Sequence, residues 1–234
     1  MAAAILTGMA LEARLARRTG LPVACAGGDA SAAAAAQRLL ESGAGGIVSF
    51  GVAGGLAPGL RPGSLVVATA VVDEDGAVYE VCRFWHDRLR HALPQALPAV
   101  LAGALTPAAT TEEKARLGAR TGAVAVDLES LAVARVCLAW GRPFAVLRAV
   151  ADPAGRALPA AALAGLDGEG RMVPGAVLAQ LAADPRQIVA LGRLAWDLGC
   201  ALAALCKAAR AFPGELLGGG PFGLDPAQRV RDVA

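Results

Sequence analysis

Gly46-Ile47-Val48-Ser49-Phe50-Gly51-Val52-Ala53-Gly54-Gly55-Leu56 runs an apolar, β-type segment straight into a cluster of glycines. The reading is a short buried strand, Ile47–Phe50, followed by a glycine turn, where the missing Cβ lets the backbone approach a ligand. Two further segments share the design: Val126-Asp127-Leu128-Glu129-Ser130 and Leu147-Arg148-Ala149-Val150-Ala151-Asp152-Pro153. Each sets an acidic or glycine-rich group at the edge of an apolar run, the place where open α/β sheets bind ligands. A lone glycine turn carries little. Three such segments in one chain point to a site.

Outward from these segments, strands and helices alternate. Ala3–Thr7 and Pro22–Ala26 read as short buried strands around a helix from Ala10 to Arg18, and Ala30–Leu40 as an alanine-rich helix closed by Ser42-Gly43. Ser64–Val72 is a longer strand after an Arg61-Pro62-Gly63 turn, and Asp73-Glu74-Asp75-Gly76 starts a hairpin-like return through Val78-Tyr79. Val100–Leu105 and Ala123–Val126 are further strands, separated by a helix capped at Thr111-Glu112-Glu113. Leu128–Trp140 has helical periodicity and stops at Gly141, and Pro143–Val150 reads as a buried strand. The alternation predicts an α/β fold: a single domain, residues 1–212, with a central mixed β-sheet flanked by helices.

Residues 153–187 carry many prolines and glycines and read as a long irregular segment, the kind that forms a lid or binding loop. A final helix follows from Ile188 to Phe212, with Leu191, Leu194, Leu198, Leu202 and Leu205 at helical spacing. Arg193, Asp197 and Lys207 interrupt its apolar face, so a helix packed on the sheet is favoured over a membrane-surface helix. The Gly/Pro-rich tail, residues 213–234, is expected to be mobile.

The composition narrows the function classes. A chain of 234 residues can bury a sizeable core, and its apolar content of 56% with only nine aromatic residues implies a tightly packed core of small side chains. A net charge of +2, with the cations scattered, gives no footprint for nucleic acid. Cys25, Cys82, Cys137, Cys200 and Cys206 have no metal-ligand spacing and read as buried free thiols in a reducing cytoplasm. His86 and His91 are the only histidines, which argues against a metal site or a Ser-His-Asp triad. The N-terminal Met1-Ala2-Ala3-Ala4-Ile5-Leu6 lacks the basic region of a signal peptide.

Three carboxylates are candidates for chemistry. Asp152 ends an apolar strand, where partial desolvation would raise its pKa and suit it to donate a proton, although an aspartate before proline is as often a turn residue. Glu129 opens a helix, and by itself the helix dipole accounts for it. Glu12 follows Gly8 among apolar residues and could be a first-turn acid.

Together these residues resemble the nucleoside phosphorylase/nucleosidase superfamily, which includes purine nucleoside phosphorylases and methylthioadenosine/S-adenosylhomocysteine nucleosidases. The resemblance runs in order from about Ile5 to Asp152: Thr7-Gly8-Met9 with Glu12, Gly51-x-Ala53-Gly54-Gly55-Leu56, Gly63-Ser64-Leu65-Val66-Val67, Val126-Asp127-Leu128-Glu129, and Arg148-Ala149-x-Ala151-Asp152. Ser49–Gly55, Val126–Ser130 and Ala151-Asp152-Pro153-Ala154-x-Arg156-Ala157-Leu158-Pro159 are most similar to the hopanoid-associated phosphorylases, thought to remove adenine from adenosylhopane.

The resemblance implies phosphorolysis of adenosylhopane in the cytoplasm, with inorganic phosphate as co-substrate and no other cofactor or metal. It implies that Asp152 protonates purine N7 and Glu129 binds the ribose hydroxyls. Leu128, Gly54 and Val52 would line the nucleoside, and Arg148 would lie near the nucleophile. Glu12 matches the carboxylate that activates water in the hydrolytic nucleosidases. A homo-oligomer is expected, and the apolar final helix is compatible with a lipid-linked substrate and peripheral membrane contact. Val52 replaces the usual Ser or Thr, Ala151 stands where Ser or Thr often precedes the aspartate, and no stacking aromatic or arginine-rich phosphate clamp is recognisable. Two rivals remain: a hydrolytic methylthioadenosine/S-adenosylhomocysteine nucleosidase, and a non-catalytic nucleoside-binding scaffold.

Overall fold

The computed structural model describes residues 2–164, 174–212, 214–217 and 230–232. Nine strands form one mixed sheet: β1 (Ala3–Thr7), β2 (Val23–Cys25), β3 (Gly46–Gly55), β4 (Leu65–Val72), β5 (Ala77–Glu80), β6 (Leu97–Gly103), β7 (Ala125–Asp127), β8 (Phe144–Asp152) and β9 (Val230–Asp232). β3, β8, β4, β6 and β7 each pair with the next, and β7 returns to β3, so these five close into a ring. β1 and β2 extend the sheet from β3, in parallel, while β5 and β9 extend it from β4, antiparallel.

The strands are apolar on both faces because helices cover both. α1 (Ala10–Ala16), α3 (Arg83–Ala92) and α8 (Gln187–Ala211) pack on one side, where Val48, Phe50, Trp85, Leu89, Leu147, Leu205 and Phe212 form a core. α2 (Asp29–Glu41) and α5 (Ser130–Ala139) cover the other side, over Leu6, Ile47, Leu101, Phe144 and Val146. Strand alternation sorts β8 accordingly: Ala145, Leu147 and Ala149 join the first core, and Phe144 and Val146 the second. Arg148 and Asp152 therefore start from the α2/α5 face. α4 (Thr111–Thr121) lies over a third, smaller cluster that includes Leu56, Leu117 and Val126.

The expected α/β class and mixed sheet are found, with instructive differences. The glycines after Phe50 are not a turn, since β3 continues unbroken to Gly55. They stay extended because neighbouring side chains, not a chain reversal, claim the space where a Cβ would be. The helix α3 lies in a stretch that sequence alone left unassigned. The segment 153–187 is not wholly irregular: it holds α6 (Ala160–Ala164) and α7 (Pro174–Ala183), and residues 165–173 lie outside the described ones. The α4 cap is Thr110, whose Oγ accepts from the Glu113 N–H at 3.1 Å while Glu113 accepts from the Thr110 N–H at 3.0 Å.

α8 is long and apolar enough by composition to cross a membrane. Asp197, Ala201, Leu205, Ala208 and Ala209 nonetheless bury one of its faces in the protein, as expected. Of the tail, residues 214–217 and 230–232 are described, and β9 pairs with β5; the expectation of mobility otherwise falls outside the described residues. All five cysteines are free; Cys82 and Cys137 are buried, whereas Cys25 is exposed, contrary to the expectation of buried thiols throughout.

Candidate functional site

A cleft of about 540 Å³ opens where β3, β7 and β8 end, lined by Gly8, Met9, Glu12, Gly28, Val52, Gly54, Leu128, Glu129 and Asp152 among others. Six of the seven residues proposed from sequence thus meet in one cavity although they are scattered along the chain. The seventh, Arg148, lies beneath it. The described lining includes Leu105, Pro107, Leu158 and Leu163 but no aromatic side chain.

Arg148 is completely buried on β8. Its Nε donates to Asp127 Oδ2 at 2.5 Å. Its Nη2 donates to Ser49 Oγ at 2.7 Å, to Ser130 Oγ at 3.1 Å and to Glu129 Oε2 at 3.5 Å. Nη1 has no hydrogen-bond partner among the described residues. Asp127 also organises the helix that follows: its Oδ1 accepts the Ser130 N–H at 2.8 Å and the Glu129 N–H at 3.1 Å, and its Oδ2 accepts the Ser130 hydroxyl at 2.5 Å. One carboxylate therefore anchors the guanidinium and caps the first turn of α5, at whose N-cap Glu129 stands.

The other two carboxylates are held by backbone. Glu12 is 1% exposed, and it accepts the Val52 N–H at 2.8 Å through Oε1 and the Met9 N–H at 2.8 Å through Oε2. Val52 thus contributes its main chain, not a hydroxyl. Glu129 Oε1 accepts the Gly28 N–H at 3.3 Å. Glycine is required beside both. A Cβ on Gly51 would sit 2.3 Å from Arg148 Nη1 and 2.7 Å from Glu12 Oε1, and one on Gly8 would sit 2.6 Å from Glu129 Oε1.

Burial lifts the pKa of Glu12 above the usual carboxylate range, against the pull of Arg148 and the backbone N–H groups. Glu129 is pushed up to about 7, chiefly by burial, with the charges of Asp127 and Glu12 adding to it and that of Arg148 opposing. Three carboxylates share one guanidinium. Burial therefore favours the protonated form of two of them.

Asp152 occupies the other end. A bulge between Ala53 and Gly54 shifts the β3–β8 register so that Gly54 pairs with Asp152, and bulges commonly re-aim a side chain in this way. A Cβ on Gly54 would lie 3.2 and 3.4 Å from the two carboxyl oxygens. Burial raises the Asp152 pKa, while Lys114 and, more weakly, Arg156 lower it.

Lys114 is a partner the sequence reading missed. It projects from α4, is fully buried, and its Nζ lies 2.5 Å from Asp152 Oδ2. A lysine in a helix of ordinary amphipathic pattern gives no sign of this; only the packing of α4 against the end of β8 brings the two together. Ser49, Ser130 and Asp127 were likewise unassigned. Two hydroxyls and a carboxylate inside otherwise apolar segments are the signal that could have found them, because buried polar groups require partners.

The model of the phosphorylase superfamily matches residues 18–189. The chain belongs to this superfamily. Among solved structures, the phosphorylase-superfamily fold seen here is similar to a 5′-methylthioadenosine/S-adenosylhomocysteine nucleosidase from Colwellia psychrerythraea in complex with adenine. The TM-score is 0.70 at 19% identity, over 92% of this chain and 95% of that one. It is also similar to a nucleosidase of the same name from Neisseria meningitidis bound to methylthio-immucillin-A, with a TM-score of 0.66 at 19% identity, over 90% and 97% of the two chains. A futalosine hydrolase from Helicobacter pylori gives 0.57 at 21% identity, over 63% of this chain and 88% of that one. No curated protein matches the sequence.

Two outcomes are expected from the buried charges. Asp127→Asn leaves the guanidinium of Arg148 short of its closest counter-charge, and breaking a buried pair in this way costs about 3–5 kcal/mol, measurable by chemical denaturation. Glu129 binds a proton more tightly folded than unfolded, so its contribution to stability is full below the unfolded pKa and is lost as pH rises through about 7. Relative to wild type, Glu129→Gln should therefore gain melting temperature at pH 8 over pH 5, at ~2–4 °C for each kcal/mol in a chain of this size. An identical difference in melting temperature at the two pH values would refute the raised pKa.

Proposed function

We propose that this protein cleaves the N-glycosidic bond of an adenine nucleoside, with Asp152 as the acid, Glu129 as the ligand of the ribose diol and Glu12 as the base that activates water. The observation that carries this reading is the placement of Asp152 at one end of a single cleft and of Glu12 and Glu129 at the other.

In this reading the nucleoside lies with its base against Gly54 and Asp152, between the aliphatic side chains of the cleft. Proton transfer from Asp152 to N7 removes the negative charge that the departing base would otherwise carry. As the C1′–N9 bond breaks, the sugar becomes oxocarbenium-like, and a site rich in carboxylates favours that positive charge more than it favours the neutral substrate. Water attacks C1′ as Glu12 takes its proton, a role suited to a carboxylate whose proton affinity burial has raised. Glu129 accepts hydrogen bonds from the two ribose hydroxyls through its two oxygens. The reaction calls on no metal or cofactor.

Charge favours water as the acceptor. A phosphate dianion at the sugar end would meet Glu12 and Glu129, while the guanidinium of Arg148 is already shared with Asp127 and Glu129. No other lysine or arginine is among the described residues lining the cleft.

The second reading, phosphorolysis of adenosylhopane, is supported by the wording of the sequence from Ala151 to Pro159. It also draws support from the aliphatic lining of Met9, Leu105, Leu158 and Leu163, which would accept an apolar 5′ substituent. Both readings place the enzyme in the cytoplasm, acting on a small molecule as a homo-oligomer, with the lipid-linked case adding contact with a membrane.

The deciding experiment incubates the enzyme with methylthioadenosine and with adenosylhopane, each with and without phosphate, and follows adenine and the sugar product. Hydrolysis predicts undiminished adenine release in phosphate-free buffer together with a free reducing sugar. A strict phosphate requirement with a sugar 1-phosphate as product would establish phosphorolysis instead, and no adenine release under any condition would leave a binding protein.

A further inference from the structure

Lys114 is the most completely buried ammonium among the described residues, and its surroundings are specific. It has three N–H donors and three acceptors: Asp152 Oδ2 at 2.5 Å, the Arg156 carbonyl at 2.8 Å and the Pro153 carbonyl at 3.2 Å. A buried lysine is tolerated only when its charge is met in this way. Two of the acceptors belong to the segment that leaves β8 and runs on to Leu158, a residue of the cleft wall. The third is the candidate acid. The carboxyl is flanked by α4, which supplies Lys114, by β3, which offers only the uncharged Gly54, and by the 153–158 segment, which supplies Arg156. The guanidinium of Arg156 is in turn paired with Asp197 of α8.

We propose that Lys114 is a positioning residue for the proton donor, gripping Asp152 Oδ2 so that Oδ1 faces the base and strengthening the carboxyl as an acid. The inference rests on the reading of Asp152 as that donor. Its physical basis is a difference between two states. While Asp152 carries its proton, the ammonium faces a neutral carboxyl. Once the proton has moved from Oδ1 to the base, the same ammonium faces a carboxylate. The interaction is stronger in the second state, so it lowers the barrier instead of merely tightening binding. Burial acts in the opposite direction and raises the proton affinity of the carboxyl. The grip of the ammonium therefore favours release of the proton to the base as the bond breaks.

The test is the pH dependence of kcat/KM for adenine release in wild type, Lys114→Met, Lys114→Arg and Asp152→Asn. Wild-type activity falls on the alkaline side as Asp152 loses its proton. Without the ammonium the carboxyl is a weaker acid, so in Lys114→Met this limb should move up by about one pH unit or more. The plateau rate should fall by about tenfold or more. Lys114→Arg should restore the wild-type limb. A rate that falls with the limb unmoved, or a limb that Arg does not restore, would reduce Lys114 to a structural residue.

Should Lys114→Met fail to fold, Lys114→Gln keeps donors for the two carbonyls and carries the same comparison. The Asp152→Asn arm separates the two claims. Activity retained there removes Asp152 as donor, whereas activity lost there with an unmoved limb in the Lys114 variants removes only the role of Lys114.

Discussion

The ion pair between Arg148 and Asp127 is the constraint on which the site depends. A guanidinium in the middle of a fully buried strand is tolerable only if its donors are met, and Asp127, Ser49, Ser130 and Glu129 meet those of Nε and Nη2. These partners come from β3, β7 and the start of α5, so satisfying one side chain fixes how three elements converge. Asp127 ties the pair to the backbone by capping α5, which sets Glu129 at the helix start and turns it into the cleft. An apolar residue at 148 would pack as well, but it would leave the orientation of Asp127 and Glu129 undetermined.

The same arrangement makes the site electrostatically poised. Three carboxylates around one guanidinium cannot all ionise cheaply in a buried place, and Glu12 and Glu129 respond with raised proton affinity. The opposite end uses the reverse device: a single carboxyl, Asp152, faces a single buried cation, Lys114. One cleft thus holds groups of two different settings, two carboxylates beside a shared guanidinium and one carboxyl beside a buried ammonium.

Glycine does unusual service in this fold. Gly51 and Gly54 continue β3 where a turn was expected, because Glu12 and Arg148 crowd the first and Asp152 the second. The expectation was a chain reversal opening the backbone to a ligand, whereas the space is claimed by the protein's own side chains. Both demand the absence of a Cβ. Neither glycine has a positive φ, and both lie in the extended strand.

Much of the molecule was legible in the chain itself. Local apolar periodicity set the α/β class, the buried character of β8 and most of the element order, though not α3, α6, α7 or β9, since it is decided within a few residues. Asp152, Glu129 and Glu12 stood out as acids beside apolar runs, but they, with Arg148, became site candidates only through the resemblance of the ordered motifs to the superfamily. What could not be read was which groups meet: Lys114 with Asp152, Ser49 with Ser130 and Arg148, and Asp127 as the counter-charge of Arg148. Those pairings depend on strand register, on a bulge at Ala53/Gly54 and on how α4 and α5 lie over the sheet. Non-local packing decides them. A side chain's type announces that it needs a partner; only the closed ring of strands, bringing residues far apart in sequence to one cleft, settles which partner it finds.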